Sequence, residues 1–181
     1  MNETLKEELL QSIREVKDYP KKGILFKDIT TLLNYPKLFN KLIDALKKRY
    51  LALNIDFIVG IEARGFILGS ALAYALGVGF VPVRKKGKLP AHTLSQSYSL
   101  EYGSDSIEIH SDAFRGIKGV RVVLIDDLLA TGGTALASLE LIKALQAECI
   151  EACFLIGLKE LPGIQLLEER VKTFCLLECL E

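Results

Sequence analysis

The segment 122–134 carries the residue types that most directly suggest chemistry. An apolar run leads to Asp126 and Asp127, then to a turn with two glycines between two threonines, and then to a stretch with helical periodicity. Backbone N–H groups at a helix N-terminus, flanked by hydroxyls, bind an anion without net positive charge, and glycine permits close approach of a phosphate. Two carboxylates beside this cradle would suit ribose hydroxyls, and Mg²⁺ would relieve their charge. The segment therefore predicts a site for a phosphorylated ribose.

Other interpretations of this segment agree less well with the order of its residues. Asp126 and Asp127 could merely cap a strand-to-helix turn, but the complete succession of strand, acid pair, Thr-Gly-Gly-Thr and helix disfavours that interpretation. The turn holds no lysine and lacks the pattern GxxxxGK[ST], and the dinucleotide fingerprint GxGxxG is absent.

Basic side chains follow two other predicted strands. Arg64 comes directly after the run 57–60, and a guanidinium fork suits two phosphate oxygens, although a surface ion pair is the alternative. Arg84, Lys85 and Lys88 open a long polar segment and could contact an anion or simply form a solvated basic turn.

Alternating periodicities indicate which elements position these residues. The predicted strands are 57–60, 80–83, 120–125, 149–158 and 173–177. The predicted helices are 5–16, one starting near Asn34 as N-cap and running to residue 50, 66–76 ending at Gly77, 133–147 and 164–170.

Continuous hydrophobic strands that alternate with helices are typical of an α/β fold with a mainly parallel sheet covered on both faces. Ligands bind beyond the carboxyl ends of such strands, so the loops 61–65, 84–105 and 126–134 should form the site. We expect 84–105 to be a mobile loop, since connections of that length are usually functional lids or disordered.

Composition limits the possible functions. A length of 181 residues suggests a single domain, and 23 basic residues balance 23 acidic ones, so no overall field favours nucleic acid or a membrane surface. The N-terminus lacks the features of a secretory signal, and no stretch is long and apolar enough to span a bilayer. We therefore expect a cytoplasmic protein without nucleic-acid or membrane partners.

The four cysteines occur as two CxxxC pairs, at 149 and 153 and at 175 and 179. A zinc site is one interpretation, but residues four apart on a strand lie too far apart to share a metal easily. Reduced core thiols, acting as small hydrophobic groups, fit these apolar stretches better.

Five blocks of the chain, in order and at matching spacing, resemble the type I phosphoribosyltransferases, which use phosphoribosyl pyrophosphate (PRPP). The sequence DDLLATGGT is most similar to the members that act on adenine. The five blocks are GILFKDIT (23–30), EARGF (62–66), RKKGKLP (84–90), YSLEYG (98–103) and DDLLATGGT (126–134). The resemblance implies a twisted, mainly parallel sheet flanked by helices, a small N-terminal hood within residues 1–35 and a flexible catalytic loop at 84–105.

The resemblance also implies a role for individual residues. Asp126 and Asp127 would bind the ribose hydroxyls, with Leu128 in the same motif. A set of basic side chains would contact pyrophosphate, namely Arg64, Arg84, Lys85 and Lys88. The 5′-phosphate would be held by Ala130, Thr131, Gly132, Gly133 and Thr134.

The same resemblance assigns the base site and the catalytic loop. Phe26 would stack on the base while the backbone of Leu25 and Lys27 reads its edge, although the family often has Arg where this chain has Lys27. Glu101, with Tyr102, would assist proton transfer at the base once the loop closes.

The implied reaction is adenine plus PRPP giving AMP and pyrophosphate, in purine salvage, by a homodimer. Mg²⁺ would be held mainly through PRPP and pyrophosphate, without metal-ligating residues of the chain itself. The alternatives are a phosphoribosyltransferase for another purine, such as xanthine or guanine, and a PRPP-sensing regulator that binds nucleic acid. The regulator normally needs an added binding segment or a basic face, and the sequence shows neither.

Overall fold

The computed structural model describes residues 3–99 and 104–179. Its helices are α1 (Glu3–Ser12), α2 (Thr30–Leu33), α3 (Pro36–Tyr50), α4 (Arg64–Leu76), α5 (Gly133–Ala144) and α6 (Gly163–Glu168). Its strands are β1 (Arg14–Lys17), β2 (Leu25–Asp28), β3 (Phe57–Ile61), β4 (Gly79–Lys85), β5 (Thr93–Ser99), β6 (Ser104–His110), β7 (Arg121–Leu129), β8 (Glu148–Leu158) and β9 (Thr173–Cys179).

Within the described residues, seven strands form the main sheet in the order β5-β6-β4-β3-β7-β8-β9. The pairings from β4 through β3, β7 and β8 to β9 are parallel, whereas β6 runs antiparallel to both β4 and β5. Strands β1 and β2 form a separate antiparallel pair near the N-terminus. The predicted α/β fold with a mainly parallel, helix-flanked sheet is confirmed.

Strand β7 lies inside this sheet, between β3 and β8, and is buried on both faces. Val123 and Ile125 pack into the hydrophobic cluster formed with helices α1 to α4, while Val122 and Leu124 pack into the cluster that includes α5. Burial on both faces explains the continuous apolar run in the sequence, and it places the acid pair at the carboxyl end of a rigid strand.

The prediction of one long loop over 84–105 is wrong in its secondary structure. Strand β4 continues to Lys85, β5 begins at Thr93, and β5 and β6 pair antiparallel over their whole length. The sequence TLSQSYS did not predict β5, because it has few apolar side chains. The strand is stabilised by its pairing with β6. Mobility of this segment stays a prediction.

Several boundaries also differ from prediction. Helix α1 ends at Ser12, and Val16 lies in β1 opposite Phe26, because the pairing with β2 overrides the helical spacing. Asn34 is the C-cap of α2, whereas Tyr35 is the N-cap of α3. Helix α5 ends at Ala144 rather than at 147. Gly77 ends α4 in the left-handed conformation, as predicted.

Candidate functional site

The phosphate cradle forms where β7 passes into α5. Gly132 has a φ of 86°, a left-handed conformation that favours glycine, and its carbonyl accepts from the N–H of Leu136 at 2.9 Å. The helix therefore begins at Gly133, and its first N–H groups have no acceptor in the preceding turn. N–H groups of this kind can bind an anion at the N-terminus of the helix.

A pocket of about 110 Å³ opens at this turn, and it brings together the residues predicted for the 5′-phosphate. The volume is small for a whole nucleotide, which suits a site for a phosphate group. Asp126 of the acid pair lies in the wall of the same pocket. The lining residues are Ile61, Asp126, Leu128, Leu129, Ala130, Thr131, Gly132, Gly133, Thr134, Ala135 and Phe154.

Gly163, at the start of α6, contacts the backbone of the cradle turn at Ala130. Its N–H donates to the carbonyl of Ala130 at 3.1 Å, and a Cβ at Gly163 would lie 2.2 Å from that oxygen. Any larger residue would push the turn away from α6. This contact was missed in the sequence, where the dipeptide Pro162-Gly163 signals a turn but not its partner.

The acid pair lies in surroundings that disfavour its charged form. Burial, followed by the proximity of Asp127, raises the pKa of Asp126 well above its ordinary value. Burial also raises the pKa of Asp127, although Arg64 opposes that effect. Two adjacent carboxylates with raised pKa values are a common mark of a functional site, because ordinary folding does not require them.

Arg64 lies beside this pair. Its Nε is 2.8 Å from Oδ2 of Asp127, close enough for an ion pair, but its N–H is not directed at that oxygen. The buried Oδ2 consequently has no hydrogen-bond donor among the described residues. An acceptor of this kind is available for a hydroxyl or a cation.

Gly65 allows α4 to approach β7 closely at this point. A Cβ at Gly65 would lie 2.7 Å from the carbonyl oxygen of Ile125 and 2.9 Å from Oδ1 of Asp126. The peptide bond between Glu62 and Ala63, just before α4, is cis. Gly65 was quoted in a matching block of the sequence without a role, and the structure shows why the position accepts no side chain.

Arg64 also links the acid pair to Phe26. The guanidinium carbon lies 5.1 Å from the centre of the Phe26 ring, whose edge contacts Tyr19 at a centroid distance of 5.2 Å. Phe26, predicted to stack on a base, is therefore near the residues predicted to bind ribose. Leu25 is half-buried beside it in β2.

The Lys27 side chain points into the N-terminal hairpin. Lys27 is 7% exposed, and its Nζ is paired with Glu15 on β1. Its neighbour Asp28 accepts from Arg14, and this bond lowers the pKa of Asp28 to about 2. The ammonium group is thus engaged away from Arg64 in this conformation, while the Lys27 backbone remains part of β2.

The predicted pyrophosphate residues of β4 cluster around Glu62, which was not singled out in the sequence. Arg84 donates from Nε and from one terminal nitrogen to the two oxygens of Glu62, each at 3.1 Å, and from the other nitrogen to the Lys88 carbonyl at 2.9 Å. The nearby ammonium of Lys85 is 3.4 Å from Asp105. Glu101 and Tyr102 lie outside the described residues.

The donor set also bears on Mg²⁺. Hard oxygen ligands suit this ion, and the acid pair presents a buried carboxylate oxygen that receives no hydrogen bond. Residues 3–99 and 104–179 contain no group of three or more His, Cys, Asp or Glu arranged to hold a metal. The acid pair fits a Mg²⁺ ion through Oδ2 of Asp127.

Comparison with known proteins places this geometry in a family. Residues 28–172 match the phosphoribosyl transferase domain family. The sheet, the cradle and this match together define the class of the protein as a phosphoribosyltransferase.

Individual relatives narrow the class. The chain is 99% identical over 179 residues to the adenine phosphoribosyltransferase of Helicobacter pylori strain Shi470, covering 99% of this chain and 100% of that relative. The crystal structure of adenine phosphoribosyltransferase from Thermoanaerobacter pseudethanolicus has a TM-score of 0.91 and 50% identity, covering 96% and 99% of the two chains. The Saccharomyces cerevisiae enzyme, complexed with adenine and an imino-altritol bisphosphate, has a TM-score of 0.90 and 42% identity, covering 97% and 100%. The chain belongs to the adenine phosphoribosyltransferase family.

Hydropathy adds one structural fact. In the described part of the chain, no helix combines the length and the apolar character needed to cross a bilayer.

Proposed function

We propose that this protein transfers the phosphoribosyl group of PRPP to adenine and releases AMP and pyrophosphate. The observation that carries the proposal is the position of Asp126, which lines the phosphate-sized pocket and directly precedes the buried Asp127. A 5′-phosphate in the cradle would place ribose hydroxyls beside these carboxylates. The family relationship supports the reaction, since the yeast relative was crystallised with adenine.

The chain binds PRPP through its 5′-phosphate and through its ribose hydroxyls. The N–H groups at the start of α5 hold the 5′-phosphate, and Asp126 and Asp127 accept hydrogen bonds from the ribose hydroxyls. Phe26 offers an aromatic face to the purine. These contacts place the base and the anomeric carbon in line and exclude water, which accounts for a large part of the acceleration.

The developing charges are stabilised by side chains around the pyrophosphate. As the bond from the anomeric carbon to pyrophosphate weakens, positive charge builds on the ribose and negative charge on the leaving group. Arg64, Lys85, Lys88 and Arg84 are the cations assigned to the pyrophosphate by the family resemblance. Asp126 and Asp127 would also contact a Mg²⁺ ion held mainly by PRPP oxygens, which supplies further stabilisation of the leaving group.

Proton transfer at the base is assigned to Glu101, with Tyr102, from the family resemblance. Closure of their segment over the site would reduce solvent access and raise the basicity of the carboxylate.

The proposal includes a homodimer and a cytoplasmic location. Helix α4 exposes Ile67 (45%) and Tyr74 (91%), which are seven residues apart and so share one helix face, as expected for a surface that a second copy covers. The cysteines at 149, 153, 175 and 179 are free thiols, which suits a reducing compartment.

The decisive test measures pyrophosphate release from PRPP and Mg²⁺ with adenine, hypoxanthine, guanine or xanthine. We expect release with adenine alone. Release with an oxopurine would refute the assignment of the base while retaining the PRPP site. PRPP binding without release of pyrophosphate would favour the alternative of a PRPP-sensing regulator.

A further inference from the structure

Glu108 is a buried carboxylate outside the set of residues assigned to the site. It lies in the middle of β6, opposite Arg84 of β4 and Ser95 of β5, and it is 4% exposed. Buried carboxylates are normally paired with a cation, because desolvation of the charge is costly. In residues 3–99 and 104–179, the hydrogen-bond partners of Glu108 are instead N–H and hydroxyl groups.

Its partners belong to the turn that follows β4. Oε1 accepts from the N–H of Lys88 at 3.0 Å and from the N–H of Leu89 at 2.8 Å, and Oε2 accepts from the Thr93 hydroxyl at 3.3 Å. Gly87 has a φ of 81°, and a left-handed residue in a turn lets successive N–H groups converge on one anion.

The N–H groups of the turn determine the charge state of Glu108. Burial would raise its pKa, but the N–H groups of Leu89, Gly87 and Lys88 outweigh that effect, and the pKa lies below the ordinary value. Glu108 is therefore ionised at neutral pH. The oxygens of Glu108 bind the backbone of the turn directly, which points to a role in the shape of the turn.

Glu62 fixes the other end of the same turn. It accepts from the N–H of Lys85 at 3.0 Å and from Arg84, which in turn donates to the carbonyl of Lys88. Glu62 and Glu108 thus hold the residues just before and just after Lys86 and Gly87. The turn carries Lys85 and Lys88, the cations assigned to pyrophosphate under the proposed function.

We propose that Glu108 is a positioning residue, which holds the turn 86–89 so that the cations of this segment face the pyrophosphate of PRPP. It acts through the backbone of Lys88 and Leu89 and does not touch the substrate. The inference rests on the proposed function, and it extends the site to a residue on β6, the strand that pairs with β4.

The experiment compares Glu108→Ala and Glu108→Gln with Glu151→Gln. Glu151 is a matched control, since it is also a buried glutamate. It lies near the start of β8, and its hydrogen-bond donors are Arg49 and Tyr50. Calorimetry measures the affinities for pyrophosphate with Mg²⁺ and for AMP, which lacks the pyrophosphate group. Steady-state kinetics supply KM for PRPP and for adenine, and thermal melts report stability.

We expect Glu108→Ala to weaken pyrophosphate binding and to lower kcat/KM for PRPP by about 10- to 100-fold, since misplacement by about 1 Å can cost that much. The affinity for AMP and KM for adenine should stay unchanged. Glu108→Gln should keep most of the pyrophosphate affinity and of kcat/KM for PRPP, because its amide oxygen can still accept from both N–H groups. Glu151→Gln should lower the melting temperature. It should not change the affinity for pyrophosphate relative to the affinity for AMP.

Equal weakening of pyrophosphate and AMP by Glu108→Ala would overturn the proposal, as would unchanged binding of both. Should Glu108→Ala not fold, Glu108→Asp takes its place, since its shorter side chain cannot reach both N–H groups. Wild-type protein that binds pyrophosphate but does not convert adenine would refute the proposed function and leave this binding comparison valid.

Discussion

Asp126 and Asp127 are held in surroundings that oppose their ionisation, although the proposed substrate needs acceptors there. Burial raises both pKa values, and the proximity of Asp127 raises that of Asp126 further. For a carboxyl whose pKa is higher in the folded protein than in the unfolded chain, the folded state binds more protons between those two values. Stability then falls as pH rises through that range. The site is therefore maintained at a cost in folding free energy.

Replacing Asp126 by Asn should remove that cost. We expect Asp126→Asn to raise the melting temperature at pH 7 to 8, because the neutral amide avoids the buried charge and its oxygen can still accept from the N–H of Asp127. The gain should shrink as pH falls toward the ordinary aspartate range. Activity should drop by about 100-fold, as for loss of one preorganised contact. Calorimetric melts across pH test this, with exposed Asp44→Asn as the control. A lower melting temperature at pH 8 would contradict the account.

At the scale of elements, the ends of β3, β7 and β8 determine the site. The sequence predicted the start of α5 correctly, and β7 except for residues 126–129, because a buried run followed by acids, glycines and threonines is a local pattern. Contacts between distant segments could not be found that way. Gly163 supports Ala130 from another loop, and Glu108 reaches the turn after β4 across a strand pairing.

The packing of α6 against the cradle gives a sharp prediction. Gly163→Ala would place a methyl group 2.2 Å from the Ala130 carbonyl, so the turn must shift. We expect AMP and PRPP to bind at least about tenfold more weakly, since both rely on the 5′-phosphate site. Pyrophosphate binding should change little. Leu166→Ala in the same helix removes a partly exposed side chain and is the control. Unchanged AMP affinity in Gly163→Ala would argue against the assigned cradle.

A second pair of elements, α3 and β8, is joined by a buried ion pair away from the site. Arg49 binds both oxygens of Glu151 at 2.6 and 2.8 Å, and Tyr50 donates to the same carboxylate at 2.6 Å. Burial would raise the pKa of Glu151, but the bonds from Arg49 and Tyr50 dominate and lower it. The stabilisation is therefore fully present above the ordinary glutamate pKa and is lost as pH falls through the folded value.

We expect Glu151→Ala to lower the free energy of unfolding by about 3–5 kcal/mol, since it leaves a partly buried arginine without its partner. The loss should be largest at neutral pH and should diminish below pH 4.5, the ordinary value for glutamate. Urea titrations at pH 7 and pH 4 measure this, and the activity of the folded fraction should be retained. A loss that is independent of pH would contradict the assigned charge state.

For the whole molecule, equal numbers of acidic and basic residues mean that the anion site is local rather than a property of the total charge. Assembly is the remaining question at this scale. The exposed face of α4 starts at Arg64 itself, so a partner covering that face would lie close to the site.

A charge introduced on that face should separate the copies. We expect Tyr74→Glu to shift sedimentation from dimer to monomer at micromolar concentration, because a carboxylate would be buried in the contact. Activity should fall at low protein concentration and recover in part at high concentration. Tyr35→Glu, also at an exposed tyrosine, is the control. A monomeric wild-type protein would remove the dimer from the proposal.

The central claim is that the site at the end of β7 makes AMP from adenine and PRPP. The most direct measurement follows AMP and pyrophosphate together, in wild type and in the double variant Asp126→Asn, Asp127→Asn. We expect wild type to form the two products in equal amounts, and the folded double variant to form neither at a comparable rate. A double variant as active as wild type, or a wild type that binds PRPP without forming AMP, would contradict the account.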